Sequence, residues 1–196
     1  MEIRLLHGAA IAPHLEELAR LRLTVFREFP YLYEGTAQYE ASYLSAYVQS
    51  TRSLAVLALD EGQVVGAATG LPLVDGAEAF RQPFTDQGRE PGSVYYFGES
   101  LVLPAYRGQG LGVRFFIERE AYAHKLGGFE YCAFCAVERP AAHPRRPQDY
   151  KPLHGFWRNR GFLHDPLLRT RYAWRDLDEA HETDKMMSFW LKALPC

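Results

Sequence analysis

The sequence predicts an α/β protein: strands and helices interleaved, one central sheet, helices on both of its faces. Three observations carry this. Tyr95 to Val137 reads as strand, glycine-studded loop, helix and strand in immediate succession. Phe129 to Val137 is apolar at consecutive positions, as expected of a strand inside a sheet that is covered on both sides. Ser53 to Asp60 and Val64 to Val74 are two apolar runs joined by the turn Asp60-Glu61-Gly62-Gln63, an antiparallel hairpin.

The other elements follow in chain order. Glu2 to Leu6 alternates and suits a first strand. Ala12 to Phe29 carries Leu15, Leu18, Leu21 and Val25 at helical spacing, with Pro13 acceptable in the first turn and Pro30 as the stop. A second helix is expected over about Ala37 to Gln49, where Tyr39, Tyr43 and Tyr47 fall on one face and read as packing residues. Gly66 and Gly70 inside a strand point to a bulge or a close backbone approach. Asp75 to Gly92, with two prolines, reads as a long irregular loop. Tyr95 to Leu103 is the central strand, and Gly112 to Leu126 its helix, stopped by Gly127-Gly128. Glu138 to Tyr150 holds three prolines and is a loop. Pro152 to Arg160 is a short helix, and Arg169 to Leu177 and Lys185 to Ala193 are paired strands.

Composition sets bounds. A chain of 196 residues with 47% hydrophobic and 23% charged residues is an ordinary globular domain, and residues 1–196 read as one. A formal net charge of -2 gives no bulk attraction to nucleic acid or anionic lipid. No apolar run reaches the length of a membrane span, and a cytoplasmic protein is expected. The three cysteines are sparse. Cys132 and Cys135 stand at a spacing that puts them on opposite faces of a strand, so they read as buried free thiols, and no metal site is expected.

The loop Arg107-Gly108-Gln109-Gly110-Leu111-Gly112 opens a helix. Its glycines bare the backbone, and the first amides of a helix lack internal partners and sit at the positive end of the dipole. Such a turn suits a phosphate. A nucleotide P-loop would need Gly-Lys-Ser/Thr, whereas Gly112 precedes Val113 and Arg114; the dinucleotide fingerprint fails because the glycines are spaced by two. The pattern that fits is Arg/Gln-x-x-Gly-x-Gly, filled by Arg107, Gly110 and Gly112, after the hinge Leu103-Pro104-Ala105-Tyr106. It closely resembles the acetyl-CoA loop of the GNAT N-acetyltransferase superfamily. The late block Phe156-Trp157-Arg158-Asn159-Arg160-Gly161-Phe162 resembles that family's late helix, and the element order resembles the whole fold.

The resemblance implies a mostly antiparallel mixed sheet with one splayed parallel strand pair, into which the pantetheine arm enters. It implies that Ser100, Leu101 and Val102 offer backbone groups to that arm. Gly108, Gln109, Gly110, Leu111 and Gly112, with Val113 and Arg114 beside them, would hold the pyrophosphate, and Arg107 would fix the loop. In many members a Tyr of the late helix protonates the departing thiolate; here Trp157 stands there, with no titratable proton near neutral pH. Tyr150 then has two readings, a hydroxyl pointed into the site or a packing residue before Pro152. Phe29, Tyr31, Tyr33 and Glu34, with Trp157, would line the acceptor pocket.

Transfer to an amine needs a group that accepts a proton as the amine attacks. Glu99, a carboxylate in an otherwise apolar strand, is the best-placed acid, and such a residue is costly without a purpose. It is either that base or the partner of Arg119 in a buried ion pair. The expected activity is acetyl-CoA-dependent N-acetylation of a primary amine on a small molecule or peptide, with acetyl-CoA as co-substrate and homodimerisation left open. The alternative is a non-catalytic acyl-CoA-binding module.

Overall fold

The protein's structure, a computed structural model, describes residues 1–195. Seven strands form one mixed sheet: β1 (Glu2–Leu6), β2 (Leu54–Asp60), β3 (Gln63–Pro72), β4 (Val94–Val102), β5 (Tyr131–Val137), β6 (Leu163–Trp174) and β7 (Thr183–Ala193). Their spatial order is β1-β2-β3-β4-β5-β7-β6, and every neighbouring pair is antiparallel except β4 with β5. A helix crossing between β4 and β5 is what a parallel pair requires.

Among the described residues five α-helices cover the sheet: α1 (Leu15–Val25), α2 (Ala37–Gln49), α3 (Glu78–Asp86), α4 (Leu111–Leu126) and α5 (His154–Arg158). Two apolar layers result. Leu18 and Leu21 of α1 and Leu44 and Tyr47 of α2 pack with Leu57, Ala67 and Leu101 on one face, where Phe80 and Phe84 of α3 also meet Tyr96 and Phe189. On the other face Phe115 of α4 packs on Val56 and Ala68, while Phe116 joins Tyr95, Phe97, Phe134 and Phe162. Cys132 and Cys135 are buried, free and on opposite faces; Cys196 lies outside the described residues. Among the described residues no helix is long and apolar enough to cross a membrane.

Two expectations are corrected. The first helix does not run from Ala12 to Phe29: a 3-10 turn spans Gly8–His14, and α1 ends at Val25. Pro30 disfavours helical geometry at Phe29, and the chain leaves the helix a turn earlier, with the Tyr33 amide donating to the Phe26 carbonyl at 2.8 Å. The region Asp75 to Gly92 is not wholly irregular, because α3 lies inside it despite Pro83. Phe80 and Phe84, four apart, anchor this helix to the sheet. Proline at position 83 cannot donate to the carbonyl of Ala79. The Thr170 hydroxyl on β6 donates to that carbonyl instead, at 2.6 Å. Thr170→Val should therefore leave a part-buried acceptor unpaired and cost about 1 kcal/mol. Thermal unfolding measures this, and an unchanged melting temperature would show that Thr170 does not hold the helix.

Candidate functional site

The site is built where β4 and β5 part. They pair over only three residues each, Val94 with Tyr131, Tyr95 with Cys132 and Tyr96 with Ala133. Beyond these the parallel ladder stops. At the same level β4 is irregular against β3: Ala68 faces Ser100 and Gly70 faces Phe97, so Gly98 and Glu99 together oppose Thr69. This is a β-bulge, one extra residue in one strand. It turns Gly98 and Glu99 to the α1/α2 face, while Phe97 and Ser100 look toward α4. Position 98 must be glycine, since a Cβ there would lie 1.9 Å from the Tyr47 hydroxyl.

Glu99 is 3% exposed and its carboxylate is held on both oxygens. Oε1 accepts from Arg22 of α1, and Oε2 accepts from the Thr69 hydroxyl. Arg22 also donates to Glu40 of α2, and the other Glu40 oxygen accepts from the Tyr33 hydroxyl at 2.7 Å. Two buried carboxylates thus share one buried guanidinium, which lies over the Tyr43 ring at 4.1 Å. Burial alone would lower the basicity of Arg22, but Glu99, Tyr43 and Glu40 outweigh it and hold the group charged.

Of the two readings of Glu99, the ion pair with Arg119 is corrected. Arg119 approaches from the α4 face, opposite the carboxylate, because the bulge rotates Glu99 away from it. Its Nη1 instead takes the carbonyls of Thr69 and Glu99, at 3.2 and 3.1 Å, and its Nη2 donates to the Ser100 hydroxyl at 2.8 Å. The carbonyls freed by the register shift are thereby satisfied. Burial lowers the Arg119 pKa to about 10, so it stays charged at neutral pH.

Glu99 opens onto a cavity of about 70 Å³ on the α1/α2 face. Tyr31, Tyr33, Tyr43, Tyr96 and Trp174 supply much of its wall, with Cys135 from β5. Burial pushes the Cys135 thiol up to about 12 and raises the Tyr43 and Tyr96 phenols, so at neutral pH these groups donate hydrogen bonds rather than ionise.

On the far side of β4 the glycine loop leads into α4. Gly108 and Gly110 have φ of 76° and 84°, conformations that glycine adopts without strain, and a Cβ at either would meet nothing within 4 Å. Gly110 is the N-cap, no side chain caps the helix and no acidic residue stands in its first turn, so no carboxylate there competes for the amides that open α4. Gly112 matters for packing: a Cβ there would come within 3.2 Å of the Phe156 ring, so its absence lets α4 approach α5. Arg107 ties the loop down. Its Nε donates to the Val102 carbonyl at 3.1 Å, and its other nitrogens grip Glu28 at 2.8 and 3.0 Å. Arg114 pairs with Glu118 one turn on, Gln109 donates to the Ala105 carbonyl at 3.2 Å, Leu111 is buried, and Val113 lies in the first turn. The Leu101 side chain is core on the α1/α2 face, and Val102 packs toward α4.

Of the expected acceptor residues, Tyr31 and Tyr33 line the cavity with Glu99. Glu34 pairs with Arg27 at 3.0 Å and Trp157 packs on Phe134 and Trp190; neither lines the cavity. Phe29 meets Tyr150 edge-on at 4.6 Å, with Arg146 4.9 Å from the Tyr150 ring centroid, on the loop that follows β5. Sequence reasoning passed over Arg22, Glu40 and Thr69. A signal existed for two of them: Arg22 and Glu40 each stand one turn from a core leucine, Leu18 and Leu44, inside apolar stripes. Tyr39 and Tyr43, read as packing, line the cavity, whereas Tyr47 is core.

Comparisons with known proteins agree with this architecture. Among solved structures, ribosomal-protein-alanine N-acetyltransferase from Brucella melitensis superposes with a TM-score of 0.61 at 16% identity, covering 99% of this chain and 100% of its own. Polyamine N-acetyltransferase from Drosophila melanogaster gives 0.59 at 15%, covering 98% and 100%. A GNAT-like decarboxylase in complex with isobutyryl-CoA gives 0.63 at 19%, covering all of both chains. At these identities the likeness is one of fold. No curated protein matches the sequence. The model of the Acetyltransferase (GNAT) family matches residues 15–162, from the start of α1 to the end of the late aromatic block, and the chain belongs to that family.

Proposed function

We propose that the protein is an acetyl-CoA-dependent N-acetyltransferase acting on a primary amine of a small molecule or peptide. The observation that carries this reading is the arrangement around β4: an anion-binding helix start at its end, the parting from β5 beside it, and a buried carboxylate on its bulge opening into a cavity. The open space over Gly108 and Gly110 and the unopposed first-turn amides fit a pyrophosphate. Residues 108–114 would hold it, with Arg107 fixing the loop, and the backbone of Ser100, Leu101 and Val102 would face the arm. Bound acetyl-CoA supplies an activated acyl thioester.

The chain supplies position and proton management. Glu99 keeps two lone-pair sites beyond those taken by Arg22 and Thr69, enough to accept from an amine directly or through water. Arg22 and Thr69 keep the carboxylate oriented while it does so. Tyr150, on the loop after β5, is the proposed proton donor to the leaving sulfur. Burial raises its phenol above the ordinary value, against a smaller lowering by Arg146, so it carries its proton at neutral pH. The polyamine and protein-alanine acetyltransferases that share the fold act on amines, which agrees with this acceptor class.

A thiol-release assay with acetyl-CoA over a panel of amines tests the reading. Release that depends on an amine, with the acetylated amine identified by mass, supports it. Tight acetyl-CoA binding with no transfer to any amine would overturn it in favour of a binding module.

A further inference from the structure

A second cavity, of about 330 Å³, lies on the α1/α2 face between α2 and the turn that precedes α3. Five aromatic residues, Tyr39, Tyr43, Phe80, Tyr96 and Tyr172, wall both it and the cavity at Glu99. Two spaces that share five wall residues lie side by side, with those side chains between them. Tyr39 of α2 and Tyr172 of β6 meet there, hydroxyl to hydroxyl at 2.6 Å, and Phe80 stacks on Tyr172 and Tyr96 at 5.0 and 5.3 Å.

The far compartment has its own charge. Asp75 lines it, and its side chain is about one-third exposed. Asp75 Oδ2 accepts from the Ser50 hydroxyl at 2.6 Å, while Arg52 stands 3.8 Å away and is half in solvent. Oδ1 accepts no hydrogen bond among the described residues. In the near compartment the single cation, Arg22, is already committed to Glu40 and Glu99. The balance along these walls is therefore negative: Glu99 and Glu40 share one guanidinium at one end, and at the other Asp75 has a loosely held, half-exposed Arg52 and a free Oδ1. Ring faces and phenols lie between the two ends and suit methylenes and cations alike. The near compartment is narrow and the far one wide.

We propose, resting on the acetyltransferase reading above, that the two compartments form one acceptor channel. It takes an elongated amine with a second cationic group: the reacting amine enters the narrow end at Glu99, and the other cation stays bound at Asp75. Thr69, which holds Glu99, and Asp75 are joined by six residues of chain, which span at most about 20 Å. The favoured ligand is one whose two charged ends fall within that reach.

Calorimetry on the full chain, with a graded series of straight-chain diamines and monoamines of matched length, tests this for the wild type and Asp75→Asn. The Asn carbonyl still accepts from Ser50, so the variant keeps its fold. Diamines of one preferred length should bind about tenfold or more tighter than their monoamine counterparts, as a charge-assisted hydrogen bond provides. Asp75→Asn should erase that difference and leave acetyl-CoA affinity unchanged. Equal binding of diamines and monoamines, or a preference that survives in Asp75→Asn, overturns the channel. The two readings fail separately. Diamine binding that depends on Asp75 without any acetyl transfer sinks the acetyltransferase reading and keeps the channel. Acetylation of monoamines and diamines alike, indifferent to Asp75, does the reverse.

Discussion

Glu99→Gln should slow acetyl transfer about a hundredfold or more at neutral pH, the usual contribution of a positioned base. The deficit should shrink as pH rises, because more of the amine is then neutral before it binds. The variant should stay folded. Arg22 retains Glu40 as a counter-charge, and the Gln carbonyl oxygen can still accept from Arg22 or Thr69. Stability should fall by about 1.5–3 kcal/mol, the worth of hydrogen bonds to a charged group, rather than by the larger amount that follows when a buried cation is stranded. A pH–rate profile and a melting curve on this one variant are decisive. A steep loss of stability with an unchanged rate per folded molecule would make Glu99 a purely structural residue.

Gly110→Val should abolish measurable acetyl-CoA binding. Gly110 caps α4 with φ of 84°, a conformation that costs a β-branched residue about 1–3 kcal/mol to hold. If the variant holds it, the side chain projects into the open space that a pyrophosphate would enter; if it relaxes, the first amides of α4 lose their direction. Calorimetry with acetyl-CoA reads the loss, and circular dichroism shows that α4 persists. Wild-type affinity in a folded variant would remove the loop from the cofactor site.

The glycine loop, the order of the elements apart from α3, and both parallel strands were legible because each depends on local pattern: φ that only glycine tolerates, helical or alternating spacing, a proline at the end of a run. The buried centre was less so. Glu99 stood out as a lone charge in an apolar strand, but its partner depends on which face it occupies, and the bulge opposite Thr69 decides that. A register shift is a property of two strands and leaves no mark in either alone, although Gly70 hinted at it. Helix α3 was hidden for a related reason: Pro83 argued against it, and the answering hydroxyl of Thr170 lies on a strand far along the chain. The tyrosines of α2 were placed on one face correctly, yet whether a face meets core or cavity is set by what stands opposite.

Arg119 gives α4 a mechanical duty. The first turn of this helix is the proposed phosphate grip, and about two turns later the same helix clasps the Thr69 and Glu99 carbonyls. From Leu111 to Arg119 the axis advances about 12 Å. A rigid rod of fixed length therefore joins one end of the site to the other, and the spacing between phosphate grip and carboxylate is measured in helical residues rather than left to a loop. A residue inserted into this rod would swing Arg119 by about 100° around the axis and detach it from the bulge. Substitutions on the outer side of the same turns would leave the gauge intact.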